Sequence, residues 1–142
     1  MRRVFRISLR AGERIYINGA VLRSDRKVSL EFLNDVAFLL ESHVILAEET
    51  TTPLRQLYFV VQTMLMDPLN APVTKELFEK SHALLMASFE NEEMLERLAD
   101  VGDLIATGRV YEALKAIRTL FALEDAILGT NTQPAKAVQE VA

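Results

Sequence analysis

Over the first third of the chain, apolar and polar residues alternate at every second position. Phe5, Ile7 and Leu9 share one side of an extended segment while Arg6, Ser8 and Arg10 share the other, as in a half-buried strand. Ile15 and Ile17 repeat the pattern against Arg14 and Tyr16, and Asn18-Gly19 follows. That dipeptide most readily takes the positive φ angles of a two-residue hairpin turn. A return strand to Arg23, a polar turn over residues 24–27, and a strand alternating Val28, Leu30 and Phe32 with Ser29 and Glu31 come next. Asn34-Asp35 reads as a second hairpin turn before an apolar run over residues 36–40, because both residue types tolerate turn backbone. About five short strands are predicted, with residues 44–46 as the last candidate.

The period then changes from two to three or four. Thr52-Pro53 supplies an N-cap and a first-turn proline, and Leu54, Leu57, Tyr58, Val61, Met64 and Leu65 recur at helical spacing. Phe59 and Val60 widen that stripe, so this helix is expected to be enclosed on most sides. Asp67-Pro68 ends it, and the loop "MDPLNAP" separates it from a second helix over residues 74–89, with Phe78, Leu85 and Phe89 on one side. A third helix starts at Asn91, where Glu92 and Glu93 complement its positive end, and runs through Met94, Leu98, Val101 and Ile105 to a Gly108 cap. A fourth is predicted over residues 109–128, with Leu114, Ile117, Phe121 and Leu128 inward and Gly129 ending it. "GRVYEALKAIRTL" resembles one half of a tetratricopeptide repeat, but no second copy lies at the repeat distance, which leaves a plain helical hairpin. The expected organisation is a β region over residues 1–48, a helical region over 49–130, and a flexible tail over 131–142 with little apolar pattern.

A chain of 142 residues, half of them apolar, can bury a real core. The absence of Cys excludes disulfides, thiolate metal sites and cysteine nucleophiles. The longest apolar window, residues 54–66, is too short to span a bilayer, and arginines interrupt residues 4–9 before they could form a signal-peptide core. The expectation is a soluble cytoplasmic protein. Catalytic motifs are missing: His43 and His82 lie on different elements, and there is neither a glycine-rich phosphate loop nor a nucleophile elbow. His82, one turn after Phe78, reads as a core histidine with one satisfied nitrogen. His43 reads as a surface or edge residue, with a phosphate or base contact as the alternative. Glu48-Glu49 reads as a solvated loop beside a helix start and not as a metal site; no metal and no cofactor is implied.

Charge is where the chain departs from an ordinary globular sequence. Residues 1–27 carry eight cations against Glu13 and Asp25, a formal +6, while residues 28–142 hold 8 basic and 18 acidic groups, or −10. Arg6 and Arg10, four residues apart on one strand face, stand about 13 Å apart, near the span of two phosphates along a nucleic-acid strand. Arg2, Arg6, Arg10, Arg14, Arg23, Arg26 and Lys27 are therefore candidate RNA-binding residues, with Tyr16, and also Tyr58, as rings on which an unpaired base could stack. The guanidinium fork favours bidentate phosphate contacts. The competing reading has these cations as outward sheet residues that balance acidic helices through weak surface pairs.

The segments "SLRAGERIYINGAVL", "KVSLEFLNDVAFLLE" and above all "TTPLRQLYFVVQTMLMDP" resemble the FlbT family, flagellar biosynthesis repressors of alphaproteobacteria. The resemblance covers about residues 4–128 and is most specific at Gly12-Glu13, Asn18-Gly19-Ala20 and residues 51–58. It implies a non-enzymatic post-transcriptional regulator that acts on the 5′ untranslated region of flagellin mRNA, through translation or message turnover, and couples flagellin synthesis to flagellum assembly. It also implies FlaF as a protein partner. "RAGERIYINGAV" is in addition similar, at Gly12-Glu13, Ile17 and Val21, to the start of carbon storage regulator proteins, β-rich dimers that bind mRNA. Where those have two adjacent arginines this chain has Leu9-Arg10, so only Arg10 is retained.

Together these readings predict an α+β protein, a small antiparallel sheet of about five strands followed by about four helices, that binds the flagellin mRNA leader. The alternative is an adaptor whose helical half binds FlaF or flagellin, with indirect effects on mRNA. No membrane partner is implied, and self-association is left open.

Overall fold

The computed structural model describes residues 5–34 and 36–129. Five strands, β1 (Phe5–Leu9), β2 (Arg14–Ile17), β3 (Ala20–Arg23), β4 (Val28–Phe32) and β5 (Phe38–Leu40), precede five helices. The helices are α1 (Pro53–Met66), α2 (Ala71–Ser88), α3 (Glu92–Ala106), α4 (Val110–Arg118) and α5 (Phe121–Leu128). The fold is mixed α+β, with all strands antiparallel and N-terminal to the helices.

The strands form two small sheets, β1-β4 and β3-β2-β5. Both derive from one long ribbon. Leu9 pairs with Val28 in the first sheet and Arg14 with Arg23 in the second: five residues on along one arm, five back along the other. The tip is the expected hairpin turn, with φ of 50° at Asn18 and 89° at Gly19, a combination that favours Gly at the second position. The ribbon bends midway at the turn over residues 10–13. There the Glu13 amide donates to the Arg10 carbonyl at 3.0 Å and Gly12 adopts φ of 84°, the positive angle a type II turn needs at its third residue. The bend brings Leu9, Ile15 and Phe38 into one buried cluster, flanked by Ile7, Ile17, Val28 and Leu40.

The predicted turn at Asn34-Asp35 does not join a hairpin. β4 pairs with β1 and β5 pairs with β2, so the two strands on either side lie in different sheets; Asp35 itself is outside the described residues. β5 is inserted between two cores, Phe38 facing the ribbon cluster and Leu39 the helical cluster. Residues 44–46 are not a strand. They link two short 3₁₀ turns, Glu41–His43 and Ala47–Glu49, and the buried amide of Gln62 receives the Ile45 N–H at 2.8 Å and donates to the Ile45 carbonyl at 2.9 Å. A side chain from α1 thus replaces the neighbouring strand that residue 45 would otherwise require.

α1 is the central element, in contact with α2, α4, α5, β2 and β5. Thr52 caps it by accepting the Arg55 N–H at 3.2 Å, with Pro53 in the first turn. Its buried Leu54, Leu57, Tyr58, Val61 and Leu65 anchor the helical core, each fully buried aliphatic side chain contributing about 2 kcal/mol. α2 begins earlier than the loop reading allowed, because Pro72 sits within its first turn, where a missing N–H leaves no bond unmade. α3 starts at Asn91, whose side chain accepts the Met94 N–H at 2.9 Å, and Gly108, at φ of 80°, follows its end. The predicted fourth helix is two. It breaks at Thr119-Leu120, where Leu120 turns into the core, and beyond the break Glu124, not Leu128, is the enclosed residue. The predicted tail, residues 131–142, lies outside the described residues.

Candidate nucleic-acid interface

The pleat decides where the candidate cations go. In β1, Ile7 and Leu9 face the ribbon cluster, so Arg6 leaves from the outer side of the β1-β4 sheet. In β2, Ile15 and Ile17 face the same cluster from the other sheet, so Arg14, and Arg23 paired with it, leave from the opposite side of the β3-β2-β5 sheet, the side on which Tyr16 and Leu39 pack on the helical core. The bend therefore sends the ribbon's arginines from two different sheets, Arg6 from one and Arg14 and Arg23 from the other. Arg6, Arg10, Arg14, Arg23, Arg26 and Lys27 are all exposed. Arg2 lies outside the described residues.

Their ion pairs are local. Arg6 lies 3.4 Å from Glu31, its cross-strand partner, and Arg26 lies 3.5 Å from Asp25. Such exposed pairs contribute on the order of 0–1 kcal/mol and leave both guanidinium groups available to a stronger anion. Among the described residues, none of the ribbon cations is ion-paired with a helix carboxylate. The backbone N–H of Arg14 donates to Oε1 of Glu41 at 2.7 Å, which ties β2 to the turn at Glu41–His43.

The aromatic candidates fare differently. Tyr58 is buried in the helical core, donates its hydroxyl to the His43 carbonyl at 2.6 Å, and offers no open face to a base. Tyr16, on the same face of β2 as Arg14, is half-buried against that core. Burial pushes the hydroxyl pKa of both Tyr58 and Tyr111 up, at Tyr58 against the opposing charge of Arg118.

Periodicity did not single out the second cationic group. Arg118, in the last turn of α4, donates to the Tyr58 hydroxyl at 3.3 Å and to the Ser42 carbonyl at 3.4 Å. Lys115, one turn before, sits 5.4 Å from the centre of the Tyr111 ring, and the Tyr111 hydroxyl lies 3.5 Å from Nδ1 of His43. Burial, then the charges of Arg118 and Lys115, hold the His43 imidazole below its ordinary 6.5. The signal in the sequence was only two cations at a helix end, where the dipole favours them in any protein. His82 is the core histidine expected: Nε2 donates to the Leu98 carbonyl at 2.7 Å and the ring stacks on Phe78. Glu49 accepts the Leu46 N–H at 2.6 Å, a structural role for that acidic pair.

Among the described residues, no three His, Asp or Glu side chains are grouped to hold a metal, and no helix is long and apolar enough to cross a membrane. The model of a family described as "Flagellar protein FlbT" matches residues 5–128. The chain belongs to the FlbT family.

Relatives named "Probable flagellum biosynthesis repressor protein FlbT" are similar over nearly their whole length. The Rhizobium johnstonii protein is 54% identical over 141 residues, 99% of this chain and 95% of the relative. The Chelativorans sp. protein is 54% identical over 138 residues, 97% and 95% of the two chains. The Agrobacterium fabrum protein is 47% identical over 141 residues, again 99% and 95%. Those names describe regulators of flagellum formation. No solved structure matches this chain.

Proposed function

We propose that this FlbT family member is a cytoplasmic post-transcriptional regulator that binds the 5′ untranslated region of flagellin mRNA and controls its translation or stability, coupling flagellin synthesis to flagellum assembly. The observation that carries this reading is the exposed ribbon of arginines in an otherwise acidic chain, whose ion pairs, among the described residues, are with strand and turn carboxylates and not with the helices. Phosphates would displace those weak partners, and the relatives' names as repressors fit a protein that acts on expression.

The test is leader RNA binding by the purified chain as salt is raised. Several phosphate contacts require a steep loss of affinity. Replacing Arg6, Arg10 and Arg14 with Gln should lower that affinity and leave the fold unchanged.

A second reading, an adaptor that binds FlaF or flagellin through the helices, is favoured by one observation. Val73, Leu77 and Leu84 are exposed along one side of α2, and Leu84 continues into a groove of about 450 Å³ lined also by Phe89, Ile127 and Leu128. Leader binding that is absent at every salt concentration, with FlaF binding abolished by Leu77→Glu and Leu84→Glu, would establish the adaptor and reject direct RNA binding.

A further inference from the structure

In the helical half every arginine but one is ion-paired: Arg55 with Glu124 and Asp125, Arg97 with Glu93, Arg109 with Glu112. The exception is Arg118. Among the described residues no carboxylate lies within ion-pair distance of it or of Lys115, although residues 28–142 hold 18 acidic groups against 8 basic ones. A helix dipole explains why cations are welcome in the last turn of α4. It does not explain why a chain so rich in carboxylates keeps them away from this guanidinium.

Arg118 is also held in place. Its two terminal nitrogens donate to different elements, the Tyr58 hydroxyl on α1 and the Ser42 carbonyl in the Glu41–His43 turn. A guanidinium carries five N–H donors in a rigid fork, so donors remain after these two contacts. Beside it stand Lys115, with three ammonium donors, and His43. If Nδ1 of His43 accepts from the Tyr111 hydroxyl, the ring proton is on Nε2, and no described residue takes that nitrogen. The groups facing His43 are Tyr58, Tyr111, Lys115 and Arg118, none of them acidic.

The same turn leads to the ribbon. Glu41 holds the Arg14 N–H, and Arg14 sits directly opposite Arg23 on the face of β2 and β3 whose Tyr16 packs on the helical core. Like charges directly across a strand pair repel, and an anion between them removes the penalty. Two cationic groups, one on α4 and one on the ribbon, are therefore joined through three residues, while Arg6 leaves from the other sheet.

We propose that Arg118, Lys115 and His43 form a phosphate-binding site that takes one phosphate of a single RNA strand, the strand continuing over Arg14 and Arg23. This rests on the RNA-binding reading above for its ligand and adds the anchoring site and the direction of the strand.

The experiment uses the full chain with two probes, an oligouridylate followed by fluorescence anisotropy across a salt series, and inorganic pyrophosphate followed by the His43 ring signals in NMR. Lys115→Gln with Arg118→Gln should weaken oligouridylate binding about tenfold, as expected for loss of charge-assisted contacts, and flatten the log–log salt slope by about 0.7, one single-strand phosphate contact. Lys115→Gln alone, at an exposed site that leaves Arg118's bonds to Tyr58 and Ser42 intact, should give a smaller loss in the same direction, which keeps the test valid if the double variant unfolds. Arg6→Gln should leave the His43 response to pyrophosphate unchanged. Unaltered affinity and slope in the Lys115→Gln and double variants would overturn the site while RNA binding elsewhere on the ribbon stands. If the unmodified chain binds no oligouridylate, the RNA reading fails. In that case a pyrophosphate-dependent shift of His43 that Lys115→Gln diminishes still supports an anion site, and no shift overturns it.

Discussion

The wholly enclosed carboxylate of Glu124 accepts the backbone N–H of Leu54 at 2.8 Å, so a residue of the last helix caps the first turn of the first. The same carboxylate receives the Thr52 hydroxyl at 2.5 Å, and Arg55 bridges it to Asp125. Glu124→Ala removes a buried acceptor from three donors at once. The expected loss is about 3 kcal/mol of unfolding free energy, read as a lower urea midpoint at unchanged slope. A loss below about 1 kcal/mol would place this network among weak surface pairs.

Gln62 predicts a second sensitivity. Gln62→Leu fits the apolar surroundings in size but strands both the N–H and the carbonyl of Ile45. Leaving such groups buried and unpaired costs about 1–3 kcal/mol each. Native-state hydrogen exchange should show the Ile45 amide losing protection ahead of the α1 amides.

His43 gives a prediction in pH. Burial, Arg118 and Lys115 lower its folded-state pKa from 6.5, so the unfolded chain binds this proton more readily. The stability tied to His43 is whole above pH 6.5 and is lost as pH falls from 6.5 through the folded-state value. His43→Asn should flatten that part of the stability–pH curve. In an NMR titration, Arg118→Gln should move the His43 midpoint upward, and an unmoved midpoint would show that Arg118's charge is not felt there.

Gly102 tests how α2 meets α3. A methyl group there would stand 3.0 Å from Cε1 of His82, a ring held by stacking on Phe78 and by its bond to Leu98. Ala favours a helix interior over Gly by about 1 kcal/mol, whereas overpacking costs about 1–3 kcal/mol. Because His82 is held on two sides, Gly102→Ala should be net destabilising by about 1 kcal/mol, with displaced His82 ring signals.

Local signals carried the reading wherever an element depends on its own residues. Thr52-Pro53, Asn91 and Asn18-Gly19 are caps and turns whose geometry is satisfied within a few positions, and each serves where its chemistry indicated. Pro72 misleads a local reading because a proline in the first turn and a proline that ends a helix look alike until the helix start is known. The break at Thr119-Leu120 was invisible because nothing there forbids helix. What it achieves is turning Glu124 toward α1, a contact made 70 residues away in sequence.

The candidate site divides along the same line. Alternation in the sequence was enough to determine that Arg6, Arg14 and Arg23 lie on the face opposite the isoleucines and leucines, since strand side chains can only alternate. Family membership, too, was legible in contiguous segments. Only the tertiary structure decided that the ribbon bends at residues 10–13, that Arg6 and Arg14 consequently leave from different sheets, and that the Glu41–His43 turn carries Arg14's neighbourhood to Lys115 and Arg118. Alternation sets the face a side chain takes on its own strand. Where that face ends up depends on which apolar surfaces the bend buries together, and that is a property of the whole core.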